Sequence, residues 1–272
     1  MVKVGNITQL IEEIAPSGAA YSFDNCGLLV GSENAQVKRV LFALEVSTEV
    51  IREAESKGCG LIVTHHPLVF RAEKSVTDRT YQGKLLLALI SAGICLYSSH
   101  TPLDGAPGGC NDVLCDIFGV SHREGLDYMG NVGGKDYYCG RIGRTDIGLA
   151  ELAELAQTRL GCENVQVVRC KEHISTLAVC SGAGGGLVEE CIRAGADCLL
   201  TGELSYHEAL SLKEAGISAV ICGHYETEIP VLARLIDCLQ KRVDMLQYDV
   251  DLIKAESVTN PYLCLGGKCV DR

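Results

Sequence analysis

At 272 residues the chain has room for one large domain or two modest ones, with ample core either way. A net charge of −11 argues against broad contact with nucleic-acid phosphates, which calls for a basic face. No apolar run approaches the roughly 18 residues of a membrane span, and Met1 to Leu10 lack a basic segment leading into an apolar one, so a cytoplasmic protein with no membrane contact is expected.

Taken in order, Asn6 to Ile14 places Ile7, Leu10, Ile11 and Ile14 at helical spacing, capped by Asn6 or Thr8 and ended by Pro16. Asp24-Asn25 then forms a polar pair, readable as a plain Asx turn, that leads into a short apolar strand. Arg39 to Val46 reads as a strand with Glu45 near its end. A helix capped by Ser47 or Thr48 follows, running through Lys57 and closed by Gly58. The stretch Leu61-Ile-Val-Thr-His-His-Pro-Leu-Val-Phe70 reads as a buried strand stopped by Pro67, with His65 and His66 where strand becomes loop. A helix from about Tyr81 to Ala92 ends at Gly93, and the strand after it stops at Ser98-Ser-His-Thr-Pro-Leu-Asp104.

A helix is expected from about Asn111 to Phe118. Residues 119–145 are glycine-rich and polar, read as a connector with edge structure and short strands near Tyr137 to Ile142. A helix to Leu160, ended by Gly161, and a strand at Val165 to Arg169 complete that region. The pattern of the first half then recurs. Ala194-Gly-Ala-Asp-Cys-Leu-Leu-Thr-Gly-Glu203 parallels Lys57-Gly-Cys-Gly-Leu-Ile-Val-Thr-His-His66, and Gly223-His224 parallels Ser99-His100. The glycine-rich segment 182–186 lacks the Lys-Ser/Thr of a phosphate-binding loop and reads as a tight turn. After a helix to about Gln240, a strand is expected at Val243 to Val250 and then an irregular tail. The organisation expected is a first α/β half over 1–120, a short connector over 121–175 and a second α/β half over 176–272. The sheets should be mixed and mostly parallel, with functional groups at the carboxyl ends of their strands.

Fifteen cysteines contain no CxxC pair, the closest spacings being Cys110/Cys115 and Cys264/Cys269, so reduced structural thiols are expected. The histidines carry more chemistry. His65, His66, His100, Asp104, His224 and Glu228 all follow strand ends, and His224 and Glu228 share a face if helical. Neutral imidazole with carboxylate suits zinc, manganese or iron, and two such ions about 3.5–4 Å apart can clamp and ionise a water. His100 and His207 are candidates for proton transfer, since imidazole titrates near neutrality.

Asp24-Asn-Cys-Gly-Leu-Leu-Val-Gly31, Thr64-His-His-Pro-Leu-Val-Phe70, His100-Thr-Pro-Leu-Asp104, Thr201-Gly-Glu203 and Gly223-His-Tyr-Glu-Thr-Glu228 together resemble the Nif-three-like dinuclear-metal family. Members of that family are often labelled GTP cyclohydrolase I type 2 homologues, and the motifs occur in the family's order across nearly the whole chain. The resemblance implies two interlocked α/β subdomains, a homohexamer and two divalent metal ions per subunit. It also implies His65, His66, Asp104, His224 and Glu228 as ligands, with Asp104 and Glu228 bridging and His100 auxiliary. Glu45 stands where the family commonly has Asp, and 119–175 has no room for the domain that longer members insert.

The function this implies is a metal-dependent hydrolase acting on a nucleotide or other small molecule, with opening of the guanine ring of GTP as the specific form. A non-catalytic metal-binding or scaffold protein is the reading from another class, and a dinuclear phosphoesterase is a third.

Overall fold

The computed structural model describes residues 1–263. The chain opens with α1 (Val4–Glu12), β1 (Gly27–Val30), β2 (Arg39–Ala43), α2 (Thr48–Lys57), β3 (Leu61–Thr64), α3 (Tyr81–Ala92), β4 (Cys95–Ser98) and α4 (Thr101–Gly105). It continues with α5 (Cys110–Ile117), β5 (Ser121–Val132), β6 (Lys135–Gly148), α6 (Leu149–Leu160), β7 (Gln166–Val168), β8 (His173–Ala183) and α7 (Val188–Ala194). β9 (Cys198–Glu203), α8 (Tyr206–Glu214), β10 (Ser218–Ile221), α9 (His224–Glu228), α10 (Pro230–Met245) and β11 (Asp251–Lys254) follow.

Local chemistry sets most of these boundaries. Ser47 Oγ accepts from Val50 N–H at the start of α2, and Thr80 Oγ1 does the same for Gly83 at the start of α3, each cap being worth about 1 kcal/mol. Gly58, Gly93 and Gly161 end α2, α3 and α6 in the left-handed region, where a Cβ is strained.

Three stretches differ from the expectation. α1 begins two residues earlier than Asn6, whose side chain instead accepts from Lys3 N–H at 2.9 Å. The segment read as a connector with edge structure holds two long strands, β5 and β6. No strand spans 243–250. Buried Leu232, Leu235, Leu239 and Val243 keep a helical stripe going, so α10 runs through Met245 and the strand, β11, comes later. The end of the tail, with the Cys264/Cys269 spacing, lies outside the described residues.

The fold is α/β with two mixed sheets, one in each of two compact units. One unit comprises 1–106, 131–135 and 232–259. Its sheet has the order β1-β4-β3-β2-β11. β4, β3, β2 and β11 run parallel, and β1 pairs antiparallel on the edge beside β4. Leu41, Ala43, Ile62 and Leu96 on one face pack with Val50, Ile51 and Ala54 of α2 and Leu85 and Leu89 of α3. Each fully buried Leu or Ile contributes about 1.5–3 kcal/mol. Val40, Phe42, Leu61, Val63 and Tyr97 on the other face are buried as well, and Tyr97 donates its hydroxyl to Glu12 of α1 at 2.5 Å.

The other unit comprises 107–130, 136–231 and the described residues from Asn260 on. Its sheet has the order β5-β6-β8-β9-β10-β7, with β8, β9 and β10 parallel at the centre. Alternate residues serve opposite faces. Leu177, Val179, Cys198, Leu200 and Val220 pack with Leu114 of α5 and Leu152 of α6. Ala178, Cys180, Leu199 and Ala219 pack with Val188 of α7 and Leu212 of α8. A sheet buried on both faces can bind a ligand only at an edge of the layer, and the ends of its parallel strands provide one. The described cysteines carry free thiols, most of them buried in these cores.

Candidate metal centre

In the first unit, three parallel strands end level with one another: Ala43 pairs Thr64, and Thr64 pairs Ser98. The residues just beyond these ends are Glu45, His65 with His66, and His100. β1 runs the other way, with Gly27 opposite Ser98, so the segment carrying Asp24 enters at this same edge. The turn after β3 is held by Thr64 Oγ1 donating to the His66 carbonyl at 2.8 Å, and His66 N–H donates to the Leu44 carbonyl at 2.7 Å. With Pro67 unable to extend the ladder, both imidazoles stay at the rim.

The three imidazoles lie together, with ring centroids 5.0 Å apart for His65 and His66, 5.2 Å for His65 and His100 and 5.6 Å for His66 and His100. Each engages an oxygen through Nδ1. His65 Nδ1 is 3.1 Å from the Ser99 carbonyl, His66 Nδ1 is 3.2 Å from Glu45 Oε2, and His100 Nδ1 is 2.9 Å from Asp24 Oδ1. A carbonyl or carboxylate oxygen can only accept, so each neutral ring carries its proton on Nδ1 and its lone pair on Nε2. Such outer hydrogen bonds orient metal-binding histidines. One nitrogen from each ring lies within 4.8 Å of the other two, a spacing that can hold a metal ion. Asp104, on α4, adds a carboxylate oxygen 3.6 Å from His65 Nε2.

The Asp24 side chain is fully buried and heavily bonded. Its Oδ2 accepts from Thr101 N–H at 3.0 Å, Thr101 Oγ1 at 2.5 Å and Cys26 Sγ at 3.0 Å, and its Oδ1 also accepts from Asn25 N–H at 2.8 Å. Burial alone would raise its pKa, but the bonds from His100, Thr101 and Cys26 outweigh burial and hold the carboxyl well below the usual carboxylate range. Burial and the neighbouring Asp24 carboxylate push the Cys26 thiol far up, so it stays protonated and acts as a donor.

The second unit builds its edge differently. β8, β9 and β10 lead to Gly182, Glu203 and Gly223-His224, respectively. His224 Nδ1 is 3.3 Å from Glu203 Oε2, and its Nε2 is 3.1 Å from Glu228 Oε1, one turn along α9. The Glu228 side chain is only 4% exposed, so this carboxylate is set into the protein rather than solvated. Thr227 Oγ1 accepts from Gly182 N–H at 3.0 Å and tethers α9 to the end of β8. Gly182, in the left-handed region, passes so close that an added Cβ would run into Glu228 Oε1. The segment 182–186 is thus a close-packed turn against the donor pair, with a 3-10 turn at Gly184–Leu187.

A family model for Duf34/NIF3 (NGG1p interacting factor 3) matches residues 2–261. The chain belongs to the DUF34/NIF3 family. A GTP cyclohydrolase 1 type 2 homolog of Clostridium perfringens is 33% identical over 264 residues, covering 96% of this chain and 99% of its own. A protein NIF3 homolog of Schizosaccharomyces pombe is 34% identical over 237 residues, 82% of this chain and 83% of its own. Among solved structures, a Bacillus cereus protein related to NIF3 superposes with a TM-score of 0.90 over 97% of this chain and 99% of that one, at 22% identity, a likeness of fold. No described helix is long and apolar enough to cross a membrane, in this chain of the NIF3 family.

The structure thus brings His65, His66, His100 and Asp104 to one strand edge in the first unit, and pairs His224 with Glu228 in the second. His207 stands apart from both donor sets: it is exposed on α8 against Tyr206, with ring centroids 5.4 Å apart. Glu45 reaches His66, with Oε2 at 3.2 Å from Nδ1. Sequence reasoning left out two carboxylates that orient imidazoles. Asp24 reads as a plain Asx turn, but its carboxylate accepts from the N–H of the next residue, Asn25, and from His100 and Thr101 far along the chain. Glu203 was signalled only by its place opposite His66 in the repeated Thr-x-x pattern.

Proposed function

We propose that this protein is a metal-dependent hydrolase acting on a nucleotide or related heterocycle, with two divalent ions held by His65, His66, Asp104, His224 and Glu228. One observation carries the reading. Four imidazoles each have Nδ1 beside an oxygen, which leaves the lone pair on Nε2; the three of the first unit each bring one nitrogen within 4.8 Å of the other two, and Nε2 of the fourth faces a buried carboxylate. Structural histidines have no need of such uniform orientation, whereas metal ligands do. Imidazole with carboxylate fits zinc, manganese or iron. A bound divalent ion supplies Lewis acidity toward a substrate oxygen and toward water.

The chain's own groups have distinct tasks. The Ser99 carbonyl, Glu45 and Glu203 orient His65, His66 and His224. Asp104 adds negative charge beside His65. His100, with a lone pair on Nε2, can accept a proton from water or return one to a leaving group. The names of the bacterial relatives support GTP as the substrate, and the family resemblance supports a homohexamer, which sedimentation would show as six times the 29.1 kDa chain mass.

The test is formate release from GTP by protein loaded separately with zinc, manganese or iron, beside Asp104→Ala. Formate that requires metal and disappears in the variant supports a cyclohydrolase. Metal binding with no formate from any ion overturns GTP as the substrate and leaves a metal-binding protein.

A further inference from the structure

We infer that Asp24 is a positioning residue that fixes His100 as its Nδ1–H tautomer, so that Nε2 of His100 is a third imidazole donor beside His65 and His66. The inference rests on the metal-binding reading above and extends it to two residues outside the assigned ligand set. Its basis is the number of donors that converge on one carboxylate. Oδ2 is committed to Thr101 N–H, Thr101 Oγ1 and Cys26 Sγ, and Oδ1 to His100 Nδ1 and Asn25 N–H. With its side chain wholly buried, Asp24 has no solvent to turn toward. Each oxygen already accepts from a backbone N–H, Thr101 at Oδ2 and Asn25 at Oδ1, so the carboxylate can only accept, and His100 Nδ1 must donate.

Replacing the carboxylate by an amide exposes the logic. In Asp24→Asn one of the two positions becomes NH2. Placed at Oδ2 it would face three donors, Thr101 N–H, Thr101 Oγ1 and Cys26 Sγ, whereas at Oδ1 it faces two, Asn25 N–H and His100 Nδ1. It therefore settles at Oδ1, where it faces His100 Nδ1 and demands an acceptor. The ring answers by moving its proton to Nε2, which removes the lone pair from the nitrogen left to bind a metal ion. The same reasoning makes Asp24 more than a cap for α4: a structural role needs only the Thr101 bonds, which the amide oxygen retains.

The experiment reads the imidazole nitrogens directly. The full chain is made with isotope-labelled histidine, and two-bond proton–nitrogen correlations are recorded metal-free, with His100→Gln used to assign the ring. Zinc is then titrated into wild type and Asp24→Asn, with thermal unfolding to show that both are folded. The expected result is the Nδ1–H tautomer for His100 in wild type, the Nε2–H tautomer in Asp24→Asn, and zinc affinity about tenfold lower in the variant. An Nε2–H ring in wild type overturns the inference, and does so even if the variant fails to fold. An unchanged tautomer in the folded variant overturns it as well. Zinc that moves the His65 and His66 nitrogens but not those of His100 overturns the third-donor role. Zinc that moves none of them overturns the metal-binding reading itself, with the tautomers reported separately.

Discussion

The two strand edges solve one problem with different residues. In the first unit the strand ends deliver side chains: Glu45, His65, His66 and His100 stand beyond three adjacent parallel strands, with Asp24 arriving from an antiparallel neighbour. In the second unit the matching positions are largely glycine, at Gly182, Gly202 and Gly223, and the donors come from a one-turn helix brought against them. Side chains at strand ends give many donors on a rim that tolerates change. Backbone packed on backbone gives a single pair, its carboxylate buried and its imidazole half-buried, that tolerates little. The difference teaches that a repeated βα pattern can keep imidazole and carboxylate groups at the same strand ends while the means of placing them diverges.

That contrast can be broken by substitution. The largest effect is expected at Gly202→Ala, where a Cβ would lie 2.5 Å from the Gly182 carbonyl oxygen, 2.7 Å from Thr227 Oγ1 and 2.9 Å from the Gly223 carbonyl oxygen. Two of these are backbone and cannot swing aside, so urea denaturation should show a loss of about 3 kcal/mol. A change below about 0.5 kcal/mol would mean that the second edge is as forgiving as the first.

At the first edge, Glu45→Ala removes only the oxygen that orients His66. Calorimetry should find a zinc affinity about tenfold weaker with the melting temperature nearly unchanged, since the Glu45 side chain is 42% exposed. A collapse of stability instead would show that this rim is structural.

A smaller effect, with a sign set by pH, is expected at Glu53 of α2. Burial raises its pKa, but bonds from Lys57, from Ser257 and from the backbone N–H groups of Glu256 and Ser257 prevail and bring it from 4.5 to about 2. A carboxyl depressed in the folded state contributes stability above its unfolded value and loses it as pH falls. The loss therefore runs from about pH 4.5 down to about 2. Glu53→Gln should cost about 1 kcal/mol near neutrality and flatten that acid slope. An acid profile identical to wild type would remove Glu53 from the account.

The sequence carried much of this, unevenly. Helices closed by Gly58, Gly93 and Gly161 could be read because glycine has one clear use at a helix end. The His-His-Pro and His-x3-Glu stretches could be read because so many ligand-type residues follow apolar runs. β5 could not, and β6 only around Tyr137 to Ile142, since their residues are mostly exposed or half-buried and show no alternation of apolar and polar. β11 was displaced because Val243 extends a helical stripe that begins at Leu232. Asp24 was hidden for a different reason. Its partners Cys26 and Thr101 are ordinary residues, and only the antiparallel pairing of β1 with β4 brings Asp24 and Cys26 to His100 and Thr101.

The pairing of β11 with β2 has a kinetic consequence. Arg39 and Asp251 are 212 residues apart, and the first sheet is complete only when they meet. Closing a loop of that length carries an entropic cost on the order of 5 kcal/mol before any contact rewards it. The parallel core of the second sheet lies within 173–221 and closes over far shorter distances. On a ribosome, the parallel core of the second sheet can therefore form while β2 still waits for its neighbour. The carboxylate of Glu53, which grips the two residues just after β11 and Ala255, becomes a latch that engages only in the last act of folding.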